Sequence, residues 1–307
     1  MRISHGLTPI ASPHAVTIGN FDGLHRGHQA MLDKLRQEAR TRGLPSCVLT
    51  FEPHPREFFA PEQAPTRLTS LGEKAALIAA AGIDRLHVLR FDDRLAALSA
   101  EEFVAGVLAG TLDARYVLVG DDFRFGRGRG GDFSLLQALG PKLEFTAETL
   151  ATVSVADRRA SSTAVRQALA AGALEHAGSL LGRPYGITGR VIHGDNLGRQ
   201  IGFPTANIQL RHNRPPLMGI YAVEVWGMGD RAYPGAASLG VRPTVHEGGR
   251  ATLEVFIFDF QGDLYGRKLR VDFLKKLRNE EKYPDLPSLV AQIARDVDHA
   301  KHYFATR

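Results

Sequence analysis

The sequence is short of several features, and each shortage narrows the class of protein. A single cysteine, Cys47, stands among 307 residues, which excludes an intramolecular disulfide and a cysteine-based metal cluster. Because Cys47 lies in an apolar run, we predict that it is a small core residue. No apolar run approaches the roughly 18 residues that a membrane helix needs, and residues 1–6 contain no apolar secretion segment. We therefore expect a cytoplasmic protein with no membrane partner.

A large excess of charge of one sign is also missing. The chain has 38 basic and 33 acidic residues and a net charge of +5. That balance suits anionic small-molecule substrates and does not require nucleic acid, which a clustered basic stripe would indicate. A hydrophobic content of 44% is typical of globular proteins, and the length suffices for two domains. The composition leaves the oligomeric state open, and a homo-oligomer is compatible with it.

The first half alternates apolar runs with helical patterns. The predicted strands are 15–19, 46–51, 85–90, 116–120 and 144–147, and the predicted helices are 27–42, 71–81 and 100–108. Ser99 and Glu102 form a capping-box pattern before the third helix. This alternation predicts a parallel sheet covered by helices on both faces, and such sheets bind ligands at the carboxyl ends of their strands.

The second half has a different pattern, with short strands separated by glycine-rich or polar turns. The predicted strands are 187–192, 219–226, 231–239, 251–260 and 268–273, with turns at 246–249 and 261–264. Such a series indicates a small antiparallel barrel or sandwich. A final helix is expected from Leu286, with Leu289, Ile293 and Val297 on one stripe. We place two domains at residues 1–182 and 183–307.

The segment from Val16 to His28 carries the most specific signal. A strand runs through glycines and an aspartate into a helix, which leaves backbone N–H groups at the helix start that favour phosphate. His25 and His28 are three residues apart and should share one helix face. A zinc protease motif would need histidines four apart with a glutamate, which is absent. We predict a phosphate site that contains Gly19, Phe21, Asp22, His25, Gly27 and His28.

Two further glycine- or hydroxyl-rich segments of the first half need interpretation. Ser162 and Thr163 open a helix, where hydroxyls are ordinary N-caps. The glycines at 126, 128 and 131 have the spacing of a dinucleotide-binding motif. They do not follow a strand directly, so we reject that interpretation. Two interpretations remain: a loop that carries Arg127 and Arg129 over a charged ligand, or a loop that is merely flexible.

The second half contains a candidate kinase motif. Glycines at 189, 194, 198 and 202 precede the segment 204–207, and no P-loop sequence occurs. The side-chain oxygens of Thr205 and Asn207 are hard ligands suited to Mg²⁺ and phosphate. Glu254 is a carboxylate between apolar strand residues. Taken by itself, it is either a solvated outward residue or a catalytic group.

Together these segments resemble the bifunctional bacterial riboflavin kinase/FAD synthetase family over nearly the whole chain. The segments that carry the resemblance are 19–28, 50–55, 67–69 with 73–74, 91–92, 98–104, 119–126, 161–166, 202–207, 219–223, 240–244, 264–266 and 277–283.

The resemblance implies a Rossmann-like nucleotidyltransferase domain followed by a small antiparallel β-barrel with a C-terminal helix. The barrel would phosphorylate riboflavin with ATP and Mg²⁺ to FMN, and the first domain would adenylylate FMN with ATP to FAD, releasing pyrophosphate. It implies that His25 and His28 stabilise the triphosphate and that Glu254 is the base of the kinase. It further implies nucleotide contacts by Ser162, Thr163, Arg166, Gly189, Gly198, Thr205 and Asn207, the last two also holding Mg²⁺, and flavin contacts by Asp122, Phe123 and Arg278.

The sequence departs from the family at two positions, and two other functions remain as alternatives. Asp122 stands where asparagine is frequent, and Phe256 stands where histidine is frequent. One alternative is a nucleotidyltransferase with a different phosphate acceptor, in which the second half only binds. The other is a nucleic-acid-binding barrel, which would need aromatic residues interleaved with basic ones on one face.

Overall fold

A six-stranded parallel sheet forms the framework of the first half, in the order β1-β4-β3-β2-β5-β6. The central strand β2 is buried at every position, as is typical of strands covered on both faces. The strands are β1 (Arg2–His5), β2 (His14–Ile18), β3 (Ser46–Glu52), β4 (Arg85–Arg90), β5 (Ala114–Gly120) and β6 (Thr146–Leu150). The predicted parallel architecture is confirmed.

Helices cover both faces of this sheet. Successive residues of β2 enter separate apolar clusters, since Val16 and Ile18 belong to one and Ala15 packs with Leu32 and Leu35 in the other. The helices are α1 (Arg26–Arg42), α2 (Pro55–Phe59), α3 (Leu71–Ala80), α4 (Asp93–Ala97), α5 (Ala100–Glu102) and α6 (Phe133–Leu139), and a short hairpin adds β7 (Ser154–Val155) and β8 (Arg158–Arg159).

Local structure differs from the sequence predictions at several places in this half. Strand β1 and helices α2, α4 and α6 were not predicted from the pattern. The helix expected over residues 100–108 becomes a π-helix over Phe103–Thr111, although the capping box of Ser99 and Glu102 forms as predicted. Gly126 and Gly131 of the segment 126–131 are explained by packing, because a Cβ on either would lie 2.6 Å from an atom of Ala100.

Cys47 is fully buried in β3, which confirms its prediction as a core residue. Burial raises the pKa of its thiol to about 12. The thiolate, which is the nucleophilic form, is therefore negligible at neutral pH, and Cys47 contributes packing rather than chemistry.

The chain, a computed structural model, divides into two compact units. One comprises residues 1–65 and 71–162, and the other comprises residues 66–70 and 163–307. The structure describes residues 1–155, 158–194, 197–211, 214–241 and 251–307. None of the helices in these ranges is long and apolar enough to cross a bilayer.

The second unit contains a closed six-stranded antiparallel barrel, in the order β10-β13-β12-β11-β14-β9. Its elements are α7 (Ser162–Ala170), whose first residue belongs to the first unit, α8 (Leu174–Leu181), β9 (Tyr185–Ile192), α9 (Leu197–Gln200), β10 (Ala206–Ile208), β11 (Gly219–Trp226), β12 (Tyr233–Val241), β13 (Ala251–Ile257), β14 (Lys268–Arg278) and α10 (Leu286–Ala305). The barrel and the C-terminal helix confirm the predicted fold class. Strand β14 is five residues longer than predicted, and the turn predicted at 246–249 lies outside the described residues.

Alternation along β13 separates the inside of the barrel from its outer face. Leu253 and Val255 are buried, whereas Glu254 between them is half-buried. Small residues on the outer face make room for helix α10, so that Ala222 and Ala236 pack with Val297 of the helix. The outward position of Glu254 leaves its carboxylate accessible to a ligand.

Two buried histidines tie the amino-terminal ends of the strands in the first unit together. His14 Nδ1 lies 3.1 Å from the carbonyl oxygen of Leu112, and its Nε2 accepts a hydrogen bond from Arg85. His87 lies between the Ser4 hydroxyl and the Gly6 carbonyl oxygen. Burial lowers the pKa of both histidines, and the neighbouring Arg85 charge lowers them further.

This network predicts acid sensitivity of the first unit. The unfolded chain takes up protons on His14 and His87 near pH 6.5, whereas in the folded chain the two histidines stay neutral down to a lower pH. The contribution of these two histidines to the free energy of unfolding is therefore fully present above about pH 6.5 and falls as the pH drops below it. We expect the urea midpoint, followed by circular dichroism, to decrease from about pH 7.5 to about pH 5. In the variant H14Q/H87Q this decrease should be smaller, and an unchanged pH dependence would contradict the assignment.

Candidate active sites

The first candidate site begins where β2 passes into α1. His25 is the N-cap of α1, and its Nδ1 accepts the backbone N–H of His28 at 3.4 Å. This acceptor role leaves Nε2 of His25 as the donor atom of the neutral ring. The rings of His25 and His28 stack with centroids 3.7 Å apart, and the Phe21 ring lies 5.0 Å from His28. The predicted shared face of the two histidines is therefore present.

A cavity of about 220 Å³ opens beside these rings within the first unit. It lies at the carboxyl ends of the strands, where parallel sheets bind ligands. The predicted residues that line it are Gly19, Phe21, His25, Gly27, His28, Asp122 and Phe123. Position 27 leaves little room for a side chain, because a Cβ on Gly27 would lie 3.2 Å from the His25 ring and 3.3 Å from the Ala160 carbonyl oxygen.

The electrostatics of His28 favour a neutral ring. Burial is the main reason that its pKa lies well below 6.5, and the charges of His25 and Lys74 lower it further. Within the described part of the chain, two buried side-chain atoms lack a hydrogen-bond partner, His28 Nδ1 and Asn20 Oδ1. Buried polar atoms are normally satisfied. Because His28 lines the cavity, its unpaired Nδ1 supports this site as the place where a polar ligand binds.

Asp122 and Phe123, expected at the flavin, follow β5 and line the same cavity. Arg159 donates a hydrogen bond from Nη2 to the Asp122 carboxylate at 2.5 Å. This pair is exposed and contributes little to stability. The Arg159 guanidinium partly neutralises the negative charge of Asp122, which lines a cavity that we expect to bind anions. Phe123 stacks on Phe125 at 5.4 Å, which fixes its ring at the cavity.

The hydroxyl-rich segment contributes to both units. Ser162 donates its hydroxyl proton to the Asp22 carbonyl oxygen at 2.9 Å and so fixes the turn after β2. Thr163 and Arg166 belong to the second unit, where Arg166 Nε donates to the Thr66 carbonyl oxygen at 2.5 Å. Contacts of Thr163 and Arg166 with a triphosphate stay predictions.

The second candidate site lies on the outer face of the barrel. Thr205 donates its hydroxyl proton to the Glu254 carboxylate at 3.5 Å, and Asn207 is directly opposite Glu254 in the pairing of β10 with β13. On the other side, Ser238 of β12 is opposite Glu254. The structure thus brings together the three residues Thr205, Asn207 and Glu254 that the sequence singled out.

Glycines of the preceding segment pack against this group. A Cβ on Gly194 would lie 2.3 Å from the Asn207 amide, and a Cβ on Gly198 would lie 3.2 Å from the Thr205 hydroxyl. Gly189 is different, because a Cβ there would lie 2.3 Å from the Gln209 carbonyl oxygen, which explains it by strand packing. A nucleotide contact of Gly189 stays a prediction.

The donor set suits a nucleotide-bound magnesium ion. Among the described residues, no three His, Cys, Asp or Glu side chains lie together as a metal site would require. Mg²⁺ in kinases is held by few protein oxygens together with substrate phosphates. The Thr205 hydroxyl and the Asn207 amide oxygen beside one carboxylate fit that chemistry.

Two residues near the barrel site have other partners. Arg278, expected at the flavin, forms a two-pronged ion pair with Asp296 at 2.7 and 2.8 Å and also donates to the Asn279 carbonyl oxygen. These contacts tie β14 to helix α10, and a flavin contact of Arg278 stays a prediction. Phe256 packs edge-on against Phe203 at 5.6 Å, so the position extends the apolar contact to α10.

Sequence reasoning missed three residues at the first site. Arg159 lines the cavity, Asn20 has an unpaired buried Oδ1 atom in the segment after β2, and Lys74 is buried near His28. The sequence did contain a signal for Lys74, because a lysine among the apolar residues of a short helix is rarely buried without a partner. Nothing in the local pattern around Arg159 distinguished it from its neighbours.

Comparisons with known proteins give two consecutive family matches. The family model for FAD synthetase matches residues 7–164, and the model for riboflavin kinase matches residues 181–304.

Several relatives match almost the full length of the chain. A bifunctional riboflavin kinase/FMN adenylyltransferase from Escherichia coli K12 is 52% identical over 94% of this chain and 92% of the relative. One from Pseudomonas fluorescens is 50% identical over 98% of this chain and 96% of the relative. A crystal structure described as a macrolide-efflux protein from Streptococcus pneumoniae is similar at 30% identity and a TM-score of 0.80. It covers 96% of this chain and 97% of its own.

The neutral state of His28 can be measured directly. Because burial, His25 and Lys74 all lower its pKa, its imidazole NMR signals should keep neutral-form shifts from about pH 8 to about pH 6. The variant H28Q identifies the signals. A titration midpoint at or above the ordinary histidine value of 6.5 would contradict the burial seen in the structure.

Proposed function

The chain belongs to the family of bifunctional riboflavin kinases/FMN adenylyltransferases, and we propose how its own residues divide the two reactions. The protein phosphorylates riboflavin to FMN and adenylylates FMN to FAD. The observation that carries our division is the grouping of residues into two separate constellations, the His25–His28 pair in the first unit and Glu254 with Thr205 in the second. We keep the domain boundary between residues 182 and 183 as a prediction.

In the adenylyl transfer, an oxygen of the FMN phosphate attacks the α-phosphorus of ATP and pyrophosphate leaves. The nucleophile is already ionised and needs no base. The site must bind and orient two anions and stabilise the charge that develops on the phosphate oxygens. We assign that task to N–H groups of His25 and His28, to the backbone beside Gly19 and Gly27, and to Ser162. Nucleotide contacts of Thr163 and Arg166 stay predictions. Aromatic rings of Phe21 and Phe123 border the cavity.

In the kinase reaction, the 5′-hydroxyl of riboflavin attacks the γ-phosphorus of ATP. That hydroxyl must lose its proton, and we assign the Glu254 carboxylate as the acceptor. Its outward position on β13 and its contact with Thr205 support this role. Thr205 and Asn207 would hold Mg²⁺, which neutralises phosphate charge when bound. Gly198 gives the backbone access to the nucleotide.

Two substitutions test the division. His28→Ala removes a donor to the developing charge, so FAD synthesis should fall about 100- to 1,000-fold while FMN accumulates from riboflavin. Glu254→Gln removes the base, so FMN synthesis should fall about 100- to 10,000-fold while FAD still forms from supplied FMN. Products are separated by chromatography.

The controls for this test are exposed residues of the same types. His299→Ala on α10 and Glu175→Gln on α8 alter exposed side chains and should leave both rates unchanged. If His28→Ala and Glu254→Gln each stopped both reactions, the assignment of separate sites would be wrong.

Gly27 provides a steric test of the first site. In Gly27→Ala the new methyl group would lie 3.2 Å from the His25 ring, so the ring must shift. We expect kcat/KM for FAD synthesis to fall about 10-fold. Gly72→Ala is the matched control, because a Cβ there meets no atom within 4 Å. Equal rates for the two variants would contradict the role of Gly27 in holding His25.

A further inference from the structure

A buried lysine lies behind the histidine pair. Lys74 of helix α3 is 5% exposed, and taking an ammonium group out of water is unfavourable unless polar groups compensate it. One of its contacts is a hydrogen bond from Nζ to the Thr50 hydroxyl at 3.3 Å. Thr50 is itself fully buried and donates its hydroxyl proton to the Asn20 carbonyl oxygen at 3.4 Å. A relay of hydrogen bonds thus runs from Lys74 to the turn after β2.

That turn needs support from its surroundings. Phe21 and Leu24 both have positive φ, at 47° and 44°, in the left-handed region that side chains other than glycine seldom adopt. Such a backbone conformation is strained and persists only where neighbouring contacts hold it. Because the Phe21 ring lies against His28, the position of the turn also determines the position of the catalytic ring.

Lys74 acts on His28 electrostatically as well. The pKa of His28 is lowered first by burial, then by His25 at the start of α1 and then by Lys74 from α3. Asp22 is buried in the same turn. Removing the ammonium group removes one of the three causes that keep the His28 ring neutral, so the ring should protonate at a higher pH.

We propose that Lys74 is a positioning residue for adenylyl transfer, which through Thr50 holds the turn that presents Phe21 and His28 to the triphosphate. The inference rests on the proposed function of the histidine pair. It assigns Lys74 an effect on the rate of the chemical step, whereas a purely structural lysine would affect only stability.

The test compares FAD synthesis from supplied FMN and ATP in full-length variants. Lys74→Met keeps the length of the side chain without its charge, and Thr50→Val keeps the shape without the hydroxyl. Each should lower kcat about 10- to 100-fold through misplacement of the reacting groups, with KM for FMN within about twofold. Thr50→Ser retains the relay and should keep near-normal kcat. Riboflavin phosphorylation by the same preparations is the internal control.

Two further readouts separate positioning from a structural role. In the double variant the losses in kcat should not multiply, because both substitutions break one relay. The acid limb of the kcat profile should move to higher pH in Lys74→Met, which loses the charge, and stay in place in Thr50→Val, which keeps it.

The inference is overturned by a normal kcat for folded Lys74→Met, by losses in kcat that multiply in the double variant, or by an acid limb that does not move in Lys74→Met. If Lys74→Met does not fold, the comparison of Thr50→Val with Thr50→Ser decides, and equal kcat values overturn the relay. Absence of FAD synthesis in the unaltered protein would instead overturn the proposed function.

Discussion

The cap that His25 forms on helix α1 is the constraint on which the first site depends. By accepting the backbone N–H of His28, the His25 ring fixes where the helix begins and leaves its Nε2 atom as the donor. The same cap places the two rings in a stack, where two charged imidazoles would repel each other. The two rings are therefore not both charged, and the neutral His28 ring can donate a hydrogen bond to phosphate as charge develops there.

In the division that we propose, the two sites solve different chemical problems with different residues. The kinase acceptor is an alcohol that must lose a proton, and a carboxylate, Glu254, is present on the outer face of the barrel. The adenylyl acceptor is a phosphate that is already ionised, and the first site provides ring N–H groups and backbone in place of a base. Both reactions depend mainly on positioning and on charge neutralisation. Each site therefore includes a glycine at a position where a side chain would crowd a site residue, Gly27 beside His25 and Gly194 beside Asn207.

Sequence patterns predicted the fold and the candidate residues of both sites better than the contacts that these residues make. Period and length identified the parallel sheet and the barrel, motif spacing singled out His25 and His28, and the family resemblance gave Glu254 its expected role. Burial of Lys74 and the partner of Asp122 depend on tertiary contacts between distant segments, which no local pattern records. Arg278 shows the converse, because its motif suggested a ligand contact while its guanidinium pairs with Asp296. The π-helix after Glu102 also escaped prediction, since its apolar spacing is compatible with a regular α-helix.

The central claim, that one chain performs two different transfers from ATP, can be tested with labelled phosphate. The unaltered protein is incubated with riboflavin, Mg²⁺ and ATP labelled at either the α- or the γ-phosphorus, and FMN and FAD are separated. The account predicts that γ-label enters both FMN and FAD, because the FMN phosphate is retained in FAD. It predicts that α-label enters FAD and never FMN. Label from the α-phosphorus in FMN, or FAD formed without it, would contradict the account.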